Sequence, residues 1–221
     1  MTMCVLLGLL TMSTDARALD TNALLGSWFA AQTNMHTWAA DFVQTRTLKT
    51  LSQPLTAPGK IWFEAPDTFR WEIGNPPQSI AMRKDDQLLV IYPRLKRVER
   101  YALASKAFGQ WRGALALLDA GFPRDRAQLE AHFNIAKIAE TDGGFQMTLQ
   151  PKSPSARQFM TQIELVFRTN PFSMVSIDVK FSDGSSMRND FKNEQLNPVI
   201  PPKTFDTTPE PGFTVVEPLG H

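Results

Sequence analysis

Side chains that could carry out chemistry are few in this sequence and lie far apart. The three histidines are His36, His132 and His221, and none stands at the spacing of a metal motif such as H-E-x-x-H. No Gly-x-Ser-x-Gly stretch supplies a nucleophilic serine, and the carboxylates of Asp85 and Asp86 lie in a polar stretch typical of a turn. These observations favour a protein that is not an enzyme and that uses no cofactor or metal.

The first eighteen residues have the pattern of a secretory signal peptide. A short apolar stretch around Cys4, the only cysteine, is followed by Ala16-Arg17-Ala18, a small-x-small site typical of signal peptidase cleavage. No Lys or Arg precedes the apolar stretch, which departs from the usual pattern. We expect residues 1–18 to be removed, which leaves residues 19–221 as a single exported domain without cysteine and without disulfides.

Composition indicates a folded, soluble domain and argues against a nucleic-acid-binding protein. Hydrophobic residues make up 43% of the chain and aromatic residues 10%, which is enough for a hydrophobic core. The formal net charge is +1, and the mixed charges lack the basic patch of a nucleic-acid binder. One basic stretch, Arg94 to Arg100, either contacts an acidic partner or forms a solvated strand near a sheet edge, where charges discourage aggregation.

Alternation of apolar and polar residues dominates the chain from Ile61 to Phe191. The segments 69–73, 145–150 and 162–168 are the clearest cases, and a period of two is typical of a strand with one apolar face. Stretches that contain Pro, Gly and Asp separate about eleven such segments, and one of these stretches, residues 53–59, is predicted as a turn. The sequence therefore predicts a mainly β (α+β) domain built on one large antiparallel sheet, whose apolar face needs a cover.

Helices are predicted in three places. Asp20-Thr21 is a suitable N-terminal cap for a helix that extends to Gln32, since Asp and Thr accept hydrogen bonds from the first free amides. Residues 104–120 have helical spacing, and residues 124–132 are expected to add a further turn. The residues assigned to a lid over the sheet are Trp28, Phe108, Trp111, Leu115 and Leu118.

Alternation also divides the strands into an apolar and a polar side. The polar side includes Arg70, Glu72 and Arg83. The apolar side includes Ile73 and the fourteen residues of our candidate cavity lining, which are Ile61, Phe63, Phe69, Trp71, Ile80, Met82, Leu89, Ile91, Phe145, Met147, Leu149, Ile163, Leu165 and Phe167. These side chains either pack against the helices as an ordinary core or surround a hollow, because so few helices cannot fill a large curved sheet.

One stretch of the sequence is similar to a known family. Gly59–Glu72, followed by Pro76-Pro77, resembles the G-x-hydrophobic-W … R-P-x-x-F-R-W segment of the LolA family of outer-membrane lipoprotein carriers. Leu89–Pro93 is similar to the next signature strand of that family, and segments 170–184 and 201–205 are similar to its C-terminal half. The resemblance extends over nearly all of residues 19–221.

This resemblance implies an unclosed antiparallel β-barrel with helices that form a lid over its apolar concave face. It implies a periplasmic carrier that binds the acyl chains of lipoproteins in a hydrophobic cavity and shuttles them from the inner to the outer membrane. An inner-membrane ABC release complex and an outer-membrane acceptor are the implied partners, and we expect a monomer. Phe69 falls where the family has a cavity-mouth phenylalanine important for cargo transfer, and we extend the cavity lining to Trp71.

One departure from the family concerns the lid. The family commonly has an arginine just before the proline of this segment, where it bonds to the lid, and this chain has Ala65 there. Arg70 belongs to the polar side by alternation, so it is not an evident substitute. Two alternatives therefore stay open: a related carrier of another lipid or glycolipid, and a protein-interaction module that binds through Arg94–Arg100.

Overall fold

The computed structural model describes residues 20–102, 115 and 120–218. The predicted signal peptide at residues 1–18 and the predicted lid residues Phe108, Trp111 and Leu118 lie outside this part of the chain. The remaining lid residues are described. Trp28 is buried, and Leu115 is half-buried and packs against the main hydrophobic cluster.

Three short helices have bounds within the described residues, and an aspartate side chain caps the first two of them. They are α1 (Thr21–Thr33), α2 (Arg126–His132) and α3 (Pro154–Arg157), with 3-10 turns at Pro93–Leu95 and Pro202–Phe205. The predicted cap of the first helix is confirmed, because Asp20 Oδ1 accepts hydrogen bonds from the amides of Asn22 and Ala23 at 3.1 and 3.0 Å. In the part of the chain that the structure describes, no helix has the length and apolar character needed to span a bilayer.

Twelve strands form a single sheet. They are β1 (Thr37–Thr47), β2 (Leu55–Glu64), β3 (Thr68–Ile73), β4 (Ser79–Lys84), β5 (Gln87–Tyr92), β6 (Arg97–Ala102), β7 (Phe133–Thr141), β8 (Gly144–Pro151), β9 (Met160–Thr169), β10 (Phe172–Phe181), β11 (Ser186–Leu196) and β12 (Thr214–Val216). Their order across the sheet is β12-β6-β5-β4-β3-β2-β1-β11-β10-β9-β8-β7. The two ends of this order do not pair among the described residues, so the barrel is unclosed. The predicted fold class is therefore confirmed, with one strand more than the eleven expected.

The additional strand covers the basic stretch at the sheet edge. Thr214–Val216 pairs in parallel with Arg97–Glu99, whereas the other neighbouring strands are antiparallel. Arg100 Nη1 also lies 3.8 Å from Glu217 Oε1, just beyond the new strand. The stretch that the interaction-module alternative needs is consequently not a free edge.

Strand β2 begins earlier than the sequence predicts. Residues 55–59, predicted as a turn, pair with β1 from Arg46 to Phe42. A Cβ atom on Gly59 would collide with the ring of Phe42 and with the backbone of β3, so the glycine leaves room for that ring. The prediction was wrong because Pro58 was treated as a breaker, although the eleven residues of β1 offer a partner along the whole segment.

Candidate lipid-binding cleft

Ten of the predicted cavity residues share one face of the sheet, which we call the inner face. They are Ile61, Phe63, Phe69, Trp71, Phe145, Met147, Leu149, Ile163, Leu165 and Phe167, each at most 4% exposed and all in one hydrophobic cluster. Helix α1 packs onto this cluster through Leu25 and Trp28. The apolar face therefore has a cover, as the alternating pattern requires.

The other four predicted cavity residues lie on the opposite side, which we call the outer face. They are Ile80, Met82, Leu89 and Ile91. Met82 pairs with Arg70 on β3 and with Leu89 on β5, and these two apolar residues form a second cluster with Val98. On the inner face of the same strands the structure places Ala81, Leu88 and Val90.

The prediction for these four residues was wrong because alternation is ambiguous in β4 and β5. Residues 80–82 and 88–91 are apolar at consecutive positions, and a shift of one residue exchanges the two faces of a strand. The pairing of Trp71 with Ala81 fixes the register. The same register places Arg83 opposite Phe69, on the inner side and not on the polar side that the sequence suggests.

A cleft of about 420 Å³ opens between helix α1 and the inner face, and we call it the α1 cleft. Its lining is mainly apolar and comes from Trp28, Ala31, Gln32, Asn34, Met35, Trp38, Phe122, Phe167, Pro171, Phe172, Ser173, Met174, Glu194 and Leu196. Phe167 of the predicted cavity and Trp28 of the predicted lid are both part of this lining. A volume of this size is within the range typical of small-molecule sites.

Aromatic contacts hold the walls of the α1 cleft. The ring centroids of Trp28 and Phe167 lie 5.2 Å apart, which joins the helix to β9. Those of Trp38 and Phe122 lie 5.0 Å apart, and Phe122 stacks on Phe63 at 4.7 Å. Such offset or tilted contacts stabilise aromatic pairs beyond their burial, so this part of the lining is held in place.

A β-bulge directs one carboxylate, that of Glu194, into this apolar lining. In the pairing of β1 with β11 the register shifts between Ala39 and Asp41, so Asn193 and Glu194 together stand opposite Ala40. Asn193 adopts a φ of 54°, a left-handed conformation that Asn tolerates better than most residues. Without the extra residue, strict alternation would place Glu194 on the outer face.

The carboxylate of Glu194 is held by two donors. Its Oε2 accepts hydrogen bonds from Trp38 Nε1 at 3.2 Å and from the amide of Met174 at 3.0 Å. Among the described residues neither bond uses Oε1, which remains an open acceptor. Burial raises the pKa of Glu194, while the two hydrogen bonds and the charge of Arg168 act in the opposite direction.

Two further polar atoms, both in residues that line the α1 cleft, are buried and have no hydrogen-bond partner among the residues that the structure describes. They are Trp28 Nε1, a donor, and Gln32 Oε1, an acceptor. The amide nitrogen of Gln32 does have a partner, since Nε2 donates to the carbonyl of Gly121 at 3.0 Å. Buried polar atoms are normally satisfied, but neighbouring atoms shield both of these from the cleft, so a ligand would reach them only after those neighbours move.

Arg70 does not replace the arginine that bonds to the lid in the family that this sequence resembles. Its Nε donates to Glu72 Oε1 at 2.6 Å, and its Nη1 donates to the carbonyl of Thr204 at 3.3 Å, both on the outer face. Ala65 is exposed, and Phe69 is 1% exposed at the inner face. The position of Phe69 agrees with the inner side predicted for it, while its role in transfer stays a prediction.

A second cleft, of about 530 Å³, lies on the outer face. Ile80, Leu89 and Ile91 form its floor together with Val98, and the segment 201–213 forms its other wall. Phe213 packs against the small outer cluster. Three residues assigned to the cavity by sequence therefore belong to a different site, beneath the C-terminal segment.

Sequence reasoning missed Glu194 because the carboxylate reaches the inner face only through the bulge. An available signal was the polar run Lys192-Asn193-Glu194-Gln195, in which Asn is a residue that favours a left-handed break in a strand. It missed Ala31 and Met35 because only Trp28 of the predicted helix was assigned to the lid and the helix was expected to end at Gln32.

Comparison with known proteins gives results consistent with this architecture. The family model described as outer membrane lipoprotein carrier protein LolA matches residues 33–208. An outer-membrane lipoprotein carrier protein from Dechloromonas aromatica is 24% identical over 183 residues, which cover 83% of this chain and 82% of that protein.

Solved structures resemble the chain at low sequence identity. An uncharacterized conserved protein from Thermus thermophilus has a TM-score of 0.51 and 9% identity, with 90% of this chain and 99% of that chain covered. A LolA superfamily protein from Nitrosomonas europaea has a TM-score of 0.44 and 10% identity, with 86% and 98% covered. Because the family model spans most of the chain and the sheet is unclosed as expected, this protein belongs to the LolA family of outer membrane lipoprotein carrier proteins.

Proposed function

We propose that this protein is a periplasmic carrier that binds the acyl chains of lipoproteins and shuttles them from the inner to the outer membrane. Membership of the LolA family supports a lipoprotein-carrier role in general, and carriers of this family are not enzymes. The observation that carries the proposal is the α1 cleft, an apolar opening of about 420 Å³ that leads from the surface to the inner face.

The apolar lining supplies the binding energy that such a role needs. Each buried methylene group contributes about 0.8 kcal/mol, so a chain that buries roughly ten of them gains about 8 kcal/mol. That free energy corresponds to micromolar affinity before the entropic terms that oppose binding are subtracted. No catalytic group is required for binding of this kind.

Helix α1 covers the cleft, and the way its last turn is attached supports the idea that this cover can be displaced. Its last turn is held by side-chain hydrogen bonds, from Gln32 Nε2 to the carbonyl of Gly121 at 3.0 Å and from Asn197 Nδ2 to the carbonyl of Asn34 at 3.0 Å. Such contacts can exchange for water at modest net free energy. We infer that movement of α1 enlarges the cleft toward the buried inner face when cargo enters.

Mass spectrometry of gently purified protein tests the proposal. We expect acylated lipoprotein or its lipid to copurify, and a fluorescent fatty acid to bind the delipidated protein and be displaced by that lipid. If no lipid copurifies and the fluorescent fatty acid does not bind, the proposal is wrong. Transfer from inner-membrane vesicles that contain the ABC release complex to an outer-membrane acceptor then tests the shuttling step.

A pair of substitutions on α1 locates the binding site. Ala31 lines the α1 cleft and Ala30 is exposed on the same helix. Ala31→Phe fills the entrance and should weaken fatty-acid binding about tenfold or more, because the added ring occupies the space of several methylene groups. Ala30→Phe is the matched control and should bind as the wild type does. Equal binding by both variants would place the acyl site elsewhere.

A second candidate cargo is favoured by one residue. Ala65 lacks the guanidinium that the family commonly has before the proline of this segment, and Arg70 faces outward. Altered control of the lid would suit a carrier of another lipid or glycolipid. The identity of the copurifying molecule distinguishes this candidate from a lipoprotein carrier.

A further inference from the structure

We propose that Gln44 and Asn189 form a polar stop inside the barrel, which limits how deeply an acyl chain enters and thereby selects cargo by chain length. This inference rests on the proposed acyl-binding function and adds the length class of the chains that the site accepts. It assigns both amides as specificity-determining residues.

Gln44 and Asn189 are buried amides on a face that is otherwise apolar where β1 meets β11. They alternate with Phe42 and Phe191, which belong to the main hydrophobic cluster, so their side chains lie on the inner face. Gln44 is 6% exposed and Asn189 0%. Of the buried polar residues that the structure describes, only these two lie on the inner side of a strand.

The two amides bind each other but are not fully satisfied. Gln44 and Asn189 stand directly opposite one another, and Gln44 Nε2 donates to Asn189 Oδ1 at 3.1 Å. Asn189 Nδ2 is buried and has no hydrogen-bond partner among the described residues. Because two apolar side chains of the same shape would avoid the cost of this unpaired donor, packing alone does not account for the pair.

Such a pair resists an incoming acyl chain more than apolar side chains do. A chain that separated Gln44 from Asn189 would break their hydrogen bond and leave further polar atoms buried without partners, which is costly. Apolar side chains of the inner face can move aside without losing a hydrogen bond. We therefore expect the terminal methyl group of a bound chain to stop at the amides.

Aromatic side chains connect the α1 cleft to this polar stop. The ring centroids of Trp38, which lines the cleft, and Phe191 lie 5.2 Å apart, and those of Phe191 and Phe42 lie 6.1 Å apart. Phe42 and Phe191 are the last inner residues before the amides on β1 and β11. An apolar path therefore follows the junction of these two strands and ends at the pair.

The length of this path matches a lipid chain of ordinary membrane length. Trp38 and Gln44 lie on the same face of β1, and at about 3.4 Å per residue their separation along the strand is roughly 20 Å. A bilayer core of about 30 Å contains two layers of chains, which gives roughly 15 Å for one chain, and an extended chain is longer. Such a chain fits between the cleft and the amides, whereas a markedly longer one does not.

The dependence of affinity on chain length tests the proposal. Icosanoate is longer than hexadecanoate by four methylene groups, and each such group that is buried strengthens binding about fourfold. Both are measured by displacement of a fluorescent fatty acid, and each is presented as a cyclodextrin complex that keeps it monomeric. From the shorter to the longer chain, wild-type protein should gain less than about twofold in affinity, and Gln44→Met/Asn189→Leu at least about tenfold.

The double variant should fold, because replacement of both hydrogen-bonding partners by apolar groups of similar shape is nearly neutral. The matched control is the exchange Gln44→Asn/Asn189→Gln, which keeps two amides at the same place in the sheet. It should show the wild-type dependence on chain length. The wild-type measurement needs no variant and decides by itself whether the longer chain is resisted.

The outcomes separate this inference from a structural role and from the proposed function. A pair that only fixes the register of β1 against β11 would alter stability in the double variant and leave the length dependence unchanged. If the longer chain strengthens binding to wild-type protein, or to the exchange variant, as much as to the double variant, the assignment of Gln44 and Asn189 is overturned and acyl binding stands. If no fatty acid binds wild-type protein, the proposed function fails and the inference fails with it.

Discussion

The two faces of the sheet carry clefts of similar size but have covers of different kinds. The cleft on the inner face has a volume of about 420 Å³ and that on the outer face about 530 Å³. The outer cover, residues 201–216, ends in a strand whose backbone pairs with β6. The inner cover in the described part of the chain, helix α1, rests on buried side chains and is tied to its neighbours by side-chain hydrogen bonds.

This difference indicates which cover can move. The outer cover is part of the sheet, since Thr214–Val216 continues the ladder and Thr214 N donates to the carbonyl of Lys96 at 2.8 Å. The inner cover makes no strand and depends on side chains such as Trp28 and Gln32. Elements that open at low free energy are those without extensive backbone pairing, so we expect the inner face to admit cargo and the outer face to stay closed.

Removal of the main apolar anchor of α1 should have the largest effect on stability. Trp28 is 1% exposed, and its ring lies 5.2 Å from that of Phe167. Trp28→Ala should lower the free energy of unfolding by about 3–5 kcal/mol, as large-to-small changes in packed cores do. Urea denaturation followed by circular dichroism measures this loss.

The control for this variant is an exposed residue on the same helix. Ser27→Ala should change the free energy of unfolding by less than about 0.5 kcal/mol, as most surface substitutions do. A loss below about 1 kcal/mol for Trp28→Ala would mean that α1 is not a packed part of the fold in solution. The contrast between the two faces would then be larger than the structure indicates.

On the outer face the corresponding substitution should have a smaller effect. Phe213 is half-buried and packs against the cluster of Met82, Leu89 and Val98. Phe213→Ala should lower the free energy of unfolding by about 1–2 kcal/mol, since only part of the ring is removed from water. Fatty-acid binding should be unchanged. Weaker binding in this variant would show that the two faces do not act independently.

The sequence predicts the strands well where only one of their faces is apolar. In β3 and β8 apolar and polar residues alternate strictly, and in β9 from Gln162 to Arg168 they alternate except at Val166. Phe69, Met147 and Leu165 are on the inner face as expected. In β4 and β5 both faces are buried, because the segment 201–213 covers the outer one. A contact with a segment more than a hundred residues away cannot be deduced from alternation within a single strand.

The candidate site was less predictable than the fold for a related reason. The sequence indicates an apolar face with a helical cover, and Trp28 and Phe167 meet at the cleft as that pattern implies. The position of Glu194 depends on where β11 shifts its register against β1. This shift is a property of the paired strands, and the alternation of β11 alone would place the carboxylate outside.

The smallest predicted effect concerns the pH dependence of stability, and it also bears on the inner face. Burial raises the pKa of Glu194 above its ordinary value of 4.5, so the folded state holds this proton more tightly than the unfolded state does. The stabilisation that results from this tighter proton binding is therefore fully present below the pKa of Glu194 in the unfolded state. It is lost as the pH rises through the pKa of Glu194 in the folded state.

Glu194→Gln removes this titration and keeps an oxygen for Trp38 Nε1 and the amide of Met174. The difference in free energy of unfolding, variant minus wild type, should increase as the pH rises above the unfolded value of 4.5 and become constant once Glu194 is ionised in the folded state as well. Other titrating groups, such as Asp178, cancel in this difference because both proteins contain them. Urea denaturation at several pH values measures it. A difference that falls as pH rises would mean that the hydrogen bonds and Arg168 outweigh burial, and that Glu194 is more exposed to water than its place in the cleft indicates.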